Sequence, residues 1–152
     1  MKSKFPQAPP FANKQEIEAF LARPLFARLG SHNEDGTIHI APLYYLYEGG
    51  EFIFGTQDLS RKAKNLRRDS QVTVLIDATD PVLQAVMAYG NATLDYENVI
   101  SKRVKILERY FESQAEAKAF AERLARAWKT VIIRLKPTKI VSFDYSKQFS
   151  ID

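Results

Sequence analysis

The sequence predicts a mainly β protein with flanking helices, in which about six strands close into an antiparallel barrel. Three observations favour this class. Short runs of alternating apolar and polar residues recur along the chain, turn signals at Asp35-Gly36 and Gly49-Gly50 separate neighbouring runs, and residues 97–129 show helical periodicity instead. Strands joined by hairpins, with helices inserted between them, are typical of antiparallel barrels.

The first strands are predicted over residues 25–33 and 37–47, on either side of Asp35-Gly36. A two-residue hairpin turn of this type needs positive φ at both central positions. Pro42 lies inside the second strand and has no N–H to donate, which indicates a bulge or an edge position. Further strands are predicted over residues 51–56, 72–77, 82–96, 130–135 and 139–145.

Helices are predicted over residues 14–22 and within a helical insertion at residues 97–129. The insertion carries two apolar stripes, formed by Ile100, Val104, Leu107 and Phe111, and by Ala117, Phe120, Leu124 and Trp128. Ser113 and Glu116 between them match a capping box, which predicts two helices and not one. On this pattern Trp128 belongs to the core.

Composition limits the possible functions. The chain has 152 residues, 45% of them hydrophobic, which fits one domain with a real core, and a net charge of only +4. It has no cysteine, which excludes disulfides and thiolate chemistry, and its two histidines show no metal-ligand spacing. The first 12 residues are predicted to be a flexible arm. No apolar segment resembles a membrane span or a signal peptide, so we expect a cytoplasmic protein without a membrane partner.

Residues 52–69 are the most informative stretch. An apolar strand ends at Thr56, a short turn follows, and a basic helix begins near Ser60. The first N–H groups of a helix lack intrahelical partners and the helix dipole is positive there, so this end attracts anions. The stretch therefore predicts a phosphate site.

The phase of this helix separates its cations. The predicted buried stripe consists of Leu59, Ala63 and Leu66. Lys62 lies beside that stripe and can lean over the protein body, so it is the first candidate ligand, and Arg61 in the first turn is the second. The remaining cations are predicted to be solvated or to form an outer rim: Lys64, Arg67 and Arg68.

The strand over residues 37–47 carries further candidates. Because neighbouring strand residues point to opposite faces, at least one of Tyr44, Tyr45 and Tyr47 must face the core while another faces solvent, a ligand or a partner. His39 alternates with two isoleucines and is predicted to point away from their buried side, either at the surface or beside a ligand.

In this order the residues resemble the pyridoxamine-5′-phosphate oxidase-like family of FMN-binding split barrels. The resemblance covers about residues 24–94, with a weaker match over 131–145, and is carried by residues 36–45, 52–56 and 60–69. Thr56 followed by Ser60-Arg61-Lys62 is its most specific part. The resemblance implies a six-stranded antiparallel split β-barrel.

The resemblance also implies a homodimer that holds flavin at its interface and acts as an oxidoreductase on a small molecule. The flavin phosphate would be held by Thr56, Ser60, Arg61 and Lys62. The ring system would be lined by His39, Ile40, Ala41, Pro42, Leu43 and Tyr44. Gln84 is a looser candidate for the edge of the ring. The redox chemistry would be the cofactor's, and no general acid or base is implied.

Other interpretations stay open at this stage. The short basic form also resembles relatives that use the deazaflavin F420, whose acidic tail would contact Lys64, Arg67 and Arg68. A non-catalytic protein that binds flavin or another ligand is a third reading. The chain lacks the early basic residue and the C-terminal signature of the true pyridoxamine phosphate oxidases, so another substrate is expected. Nucleic-acid binding would need stacking aromatics beside the basic stripe, and Phe52 and Phe54 share a strand face typical of core.

Overall fold

A computed structural model of the chain describes residues 9–11 and 13–147. The strands in this part of the chain are Ala27–His32 (β1), Ile38–Leu43 (β2), Leu46–Glu48 (β3), Glu51–Gln57 (β4), Gln71–Ala78 (β5), Gln84–Asp95 (β6), Thr130–Leu135 (β7) and Lys139–Asp144 (β8). The α-helices are Lys14–Leu21 (α1), Arg61–Arg68 (α2), Val99–Leu107 (α3) and Gln114–Ala127 (α4), and a 3₁₀ turn follows at Tyr145–Lys147.

The strands form one antiparallel sheet in the order β2-β1-β5-β6-β7-β4-β3, and β8 pairs with β6. The long strand β6 joins the two halves, because its first part pairs with β5 and β8 and its last part pairs with β7. The result is an antiparallel half-barrel, or split barrel, with four helices. The predicted fold class is confirmed.

The described chain has eight strands where about six were predicted, and one of the added strands arises because the strand expected over residues 37–47 is interrupted. Tyr45 is fully buried and leaves the ladder. Its N–H donates to the Tyr110 hydroxyl at 3.2 Å, and its carbonyl accepts from Arg109. Since both backbone groups bond to side chains, the strand divides into β2 and β3.

The turns follow the glycines. Gly49 and Gly50 both have positive φ, at 62° and 76°, as a tight hairpin turn requires. At the first hairpin only Gly36 has positive φ, at 88°, so the expectation of positive φ at Asp35 is wrong. The Asp35 carboxylate instead accepts from the Thr37 N–H at 3.0 Å. Pro42 lies on β2, the edge strand of the sheet, which confirms its predicted edge position.

The main core fills the inside of the half-barrel. Phe52 and Phe54 are fully buried and stack with centroids 6.2 Å apart, and Tyr45 packs against Phe52. On β5 the alternation places every second residue in this core, as predicted: Val72, Val74 and Ile76. A smaller cluster joins α3 to α4, which confirms two helices, and the Ser113 side chain caps α4 by accepting from the Glu116 N–H at 3.2 Å.

Several residues that were predicted to be buried are exposed. Trp128 is 51% exposed because it is the C-cap of α4, where the backbone has turned to an extended conformation and leaves the helical stripe. Ile100, in the first turn of α3, is exposed as well. Ile38 and Ile40 are 55% and 65% exposed, since β2 turns these side chains to the outer face of the sheet. The partly buried His39 therefore lies on the inner side of β2, opposite to the assumption made for it.

The predicted N-terminal arm falls mostly on residues 1–8 and 12, which lie outside the described residues. At its end Phe11 is buried, and its N–H donates to the Ser142 hydroxyl at 3.0 Å. The arm's last residues thus pack on β8. No helix in the described ranges is long and apolar enough to cross a membrane.

Candidate functional site

A cavity of about 440 Å³ opens where the ends of β2 and β4 meet the start of α2 and the side of α3. The residues that line it are Phe26, Pro42, Leu43, Tyr44, Gly55, Thr56, Gln57, Ser60, Lys62 and Arg103. Hydroxyl and cationic groups line one end, and aromatic and aliphatic side chains line the other. We call it the β4–α2 cavity.

The polar end is built on the N-terminus of α2. Ser60 is the N-cap in an extended conformation, and its hydroxyl accepts from the Ala63 N–H at 3.3 Å. The buried Thr56 hydroxyl donates to the same Ser60 oxygen at 3.3 Å. The strand end thereby fixes the cap, and the N-terminus of α2, whose first N–H groups lack intrahelical partners, borders the cavity through Ser60 and Lys62. This end is suited to an anion.

Lys62 is half-buried and lines the cavity, in agreement with its predicted position beside the stripe. Burial lowers the pKa of its ammonium group, and the neighbouring Arg103 charge lowers it further. No carboxylate in the described part of the chain forms an ion pair with it. An anion beside Lys62 would supply the missing opposite charge.

Arg103 on α3 is the second cation of the cavity, and the sequence reasoning missed it. Its guanidinium donates to the Thr130 hydroxyl at 3.2 Å, and burial lowers its pKa. It crosses the backbone of β4 at Gly55, where an added Cβ would lie 3.1 Å from the Arg103 Nε. Two signals in the sequence pointed to this contact: a glycine inside an apolar strand and an arginine beside the apolar stripe of a helix.

Phe26 and Tyr44 form the wall at the other end, and Tyr110 packs against both rings outside the cavity lining. The centroids of Phe26 and Tyr44 are 5.4 Å apart, and those of Tyr44 and Tyr110 are 4.6 Å apart. The Tyr110 hydroxyl donates to the Leu25 carbonyl at 2.6 Å, which fixes the cluster to the chain before β1. Burial raises the pKa of Tyr110, so this phenol stays protonated as a donor. A planar aromatic ligand can stack on such a wall.

The structure brings most of the predicted site residues together. Six of them line the β4–α2 cavity: Pro42, Leu43, Tyr44, Thr56, Ser60 and Lys62. His39 and Arg61 line a neighbouring cavity of about 350 Å³. Ile40 lies on the exposed face of β2, and Ala41 is half-buried and lines neither cavity.

Gln84 lies apart from both cavities, at the start of β6. Its side-chain amide donates to Asp144 at 3.2 Å and accepts from Arg23 at 3.4 Å. These bonds hold the ends of β6 and β8 together. Within this single chain the Gln84 side chain is therefore bonded to other protein groups, away from the polar end of the β4–α2 cavity.

The predicted stripe of α2 needs one correction. Ala63 and Leu66 are buried, but Leu59 is 74% exposed, because it precedes the N-cap and does not belong to the helix. Asn65 is buried in addition.

The outer cations of α2 differ in their surroundings. Arg67 bonds to Asp58 and to the Tyr96 hydroxyl, and Arg68 bonds to the His32 carbonyl. Lys64 is exposed, without an ion pair in the described chain.

The fold and cavity define a split-barrel protein in which two cations, Lys62 and Arg103, line a cavity beside a helix N-terminus. The sequence matches the pyridoxamine 5′-phosphate oxidase family over residues 14–143, and the chain belongs to this family. None of the curated proteins compared with the chain matches it.

Solved structures show the same fold. A conserved hypothetical protein from Mycobacterium tuberculosis is 27% identical with a TM-score of 0.81, and the match covers 95% of this chain and 92% of that one. An F420 reductase is 20% identical with a TM-score of 0.65, covering 81% and 94%. An FAD-binding protein from Mesorhizobium loti is 16% identical with a TM-score of 0.59, covering 86% and 93%. The last two likenesses concern the fold alone, and they show that it serves proteins with different cofactors.

Proposed function

We propose that the chain binds FMN in the β4–α2 cavity and acts as a flavin-dependent oxidoreductase on a small molecule. The observation that carries the proposal is that the cavity combines hydroxyl and cationic groups with aromatic side chains. Lys62, Arg103 and the Thr56–Ser60 hydroxyl pair suit a phosphate, while Phe26 and Tyr44 suit a planar ring. Family membership supports the same reading.

In this proposal the protein's residues bind FMN and orient its ring. Lys62 and Arg103 would neutralise the phosphate, and the Ser60 hydroxyl and the first N–H groups of α2 would donate to its oxygens. Pro42, Leu43 and Tyr44 would keep water from one side of the ring. When bound, a flavin accepts or donates a hydride.

The proposal includes a homodimer that completes the cavity. Phe26 lines the cavity and is 51% exposed, so the aromatic end is open to solvent in one chain. Ile38 and Ile40 form an exposed apolar patch on β2, the strand that also supplies Pro42 and Leu43. Sedimentation analysis should give twice the chain mass, and Ile40→Glu should shift it toward the monomer. A wild-type monomer at micromolar concentration would contradict this part.

The cofactor is tested by purifying the protein, recording its visible spectrum and identifying any released cofactor by mass. A yellow protein that releases FMN, or a colourless one that binds added FMN, supports the proposal. Lys62→Ala should weaken FMN binding by about 10-fold or more, because it removes a charge-assisted bond. Lys64→Ala on the exposed side of the same helix is the matched control and should change it little. Equal effects would show that Lys62 does not face the phosphate.

F420 is the second candidate, favoured by the exposed Lys64 and by the fold shared with an F420 reductase. It ranks behind FMN because Arg67 and Arg68 already bond to protein groups. A protein that binds added F420 but not FMN would reverse the order, and one that binds neither would exclude both.

Reduction of the bound flavin distinguishes an enzyme from a non-catalytic flavin-binding protein. Rapid bleaching of the bound flavin by NADH or NADPH supports an enzyme. A bound flavin that neither nucleotide reduces would favour a carrier.

A further inference from the structure

The charges of the β4–α2 cavity are unbalanced. Its charged lining side chains are Lys62 and Arg103, and the described residues that line it include no carboxylate. The nearest acid along the chain, Asp58, already interacts with Arg67, with the Tyr96 hydroxyl at 2.6 Å and with Lys129 at 4.0 Å. Among the described residues, therefore, no carboxylate of the lining offsets the two positive charges of the cavity.

Arg103 is held in place before any ligand arrives. Its guanidinium bonds to Thr130, and the preceding residue on α3, Lys102, forms an ion pair with Asp95 at 2.6 Å. The absence of a side chain at Gly55 lets the Arg103 side chain lie across β4. The bond to Thr130 on β7 and the passage across Gly55 on β4 thus hold the guanidinium beside the cavity.

From this geometry we infer that Arg103 and Lys62 select a phosphate monoester with two negative charges, and that Arg103 is a specificity-determining residue for FMN over flavins whose phosphate is a diester. A monoester has its second pKa near 6, so it carries close to two charges at neutral pH. A diester carries one, and would leave one half-buried cation without a counter-charge, which is costly. This inference rests on the proposed function.

The test compares FMN, its phosphate methyl ester and riboflavin as ligands of the full chain, by fluorescence quenching and calorimetry. FMN and its methyl ester share the ring, the ribityl chain and the phosphorus, and differ in one charge. The wild-type protein should prefer FMN over the methyl ester by on the order of 10- to 100-fold, the value of one charge-assisted contact. Equal affinities would overturn the inference while leaving the proposed function intact.

Two variants assign the preference to Arg103. Arg103→Gln should reduce the preference to a few-fold, mainly by weakening FMN binding, whereas the exposed Arg126→Gln on α4 should leave it unchanged. Gly55→Ala should act in the same direction but more weakly, because its Cβ would lie 3.1 Å from the Arg103 Nε and push the retained side chain aside slightly. Circular dichroism checks that each variant is folded. A preference that survives in both folded variants would overturn the role of Arg103.

A wild-type protein that binds none of the three flavins would contradict the proposed function. In that case phenyl phosphate and its methyl ester replace the flavins in the same titrations. If the wild type prefers phenyl phosphate over its methyl ester and Arg103→Gln loses that preference, the selective role of the two cations is upheld. If the wild type shows no such preference, that role is overturned.

Discussion

Replacing Asp95 by asparagine should destabilise the protein near neutral pH and have almost no effect near pH 2. The Asp95 carboxylate ends β6 and accepts from Lys102 of α3 at 2.6 Å and from Arg134 of β7 at 2.9 Å. The Lys102 bond, with further bonds from the Glu97 N–H and Arg134, lowers the pKa of Asp95 from its ordinary 3.8 to about 2. Asparagine keeps the shape and loses the charge.

The magnitude follows from that pKa. When the pKa of a group differs between the folded and unfolded states, the group contributes about 1.4 kcal/mol to the free energy of unfolding for each pKa unit of difference. Asp95 would then contribute somewhat over 2 kcal/mol, and since its side chain is still 15% exposed, solvent screening reduces our expectation to about 1 to 2 kcal/mol. Because the folded pKa is the lower one, this contribution is complete above about pH 4 and is lost as the pH falls toward 2.

The assay is urea denaturation of the wild type and Asp95→Asn at several pH values from 7 down to 2. The two free energies of unfolding should differ most at pH 7 and converge in acid, while the exposed Glu112→Gln control should stay close to the wild type throughout. A difference that persists unchanged at pH 2, or none at pH 7, would refute the electrostatic reasoning. Weaker FMN binding by Asp95→Asn would further show that this ion pair positions Arg103.

Three further outcomes are expected. Leu66→Ala should lower the free energy of unfolding, measured by chemical denaturation, by about 2 to 5 kcal/mol. Leu59→Ala should lower it by less than about 0.5 kcal/mol, because Leu66 is buried and Leu59 is exposed. Ser60→Ala should remove the α2 cap at about 1 kcal/mol and weaken FMN binding as well. Burial raises the pKa of Tyr45 to about 12, so ultraviolet titration should show a phenol that ionises near pH 12 and is absent in Tyr45→Phe. Stability from this group is complete below pH 10 and declines as the pH rises toward 12.

Features set by neighbouring residues could be predicted from the sequence. The Gly49-Gly50 turn, the alternation of β5 and the Ser113 cap each depend on residues within a few positions of one another, and the structure confirms all three. Thr56 and Ser60 are likewise close along the chain, and the structure joins their hydroxyls by a hydrogen bond. Local chemistry decides these elements.

Features that depend on distant residues were missed. Alternation shows which residues of β2 share a face, but it does not show which face meets the core. In β2 the isoleucines lie on the exposed face. Leu59 has the spacing of the α2 stripe, yet the helix begins after it. Arg103 enters the site from a helix that the chain reaches only after β6, so Gly55 and Arg103 each carry a signal but no local pattern pairs these two distant positions.

The pairing of β4 with β7 has a consequence for how the protein is made. Thr56 lies opposite Val131, and Gln57 lies opposite Thr130, the residue that holds Arg103. A ribosome that has released only β1 to β6 has therefore produced the Ser60 cap without the strand beside it. Contacts this far apart in sequence close late. In the proposed function, FMN capture should thus follow the emergence of β7, and chains truncated before β7 should be synthesised without the cofactor.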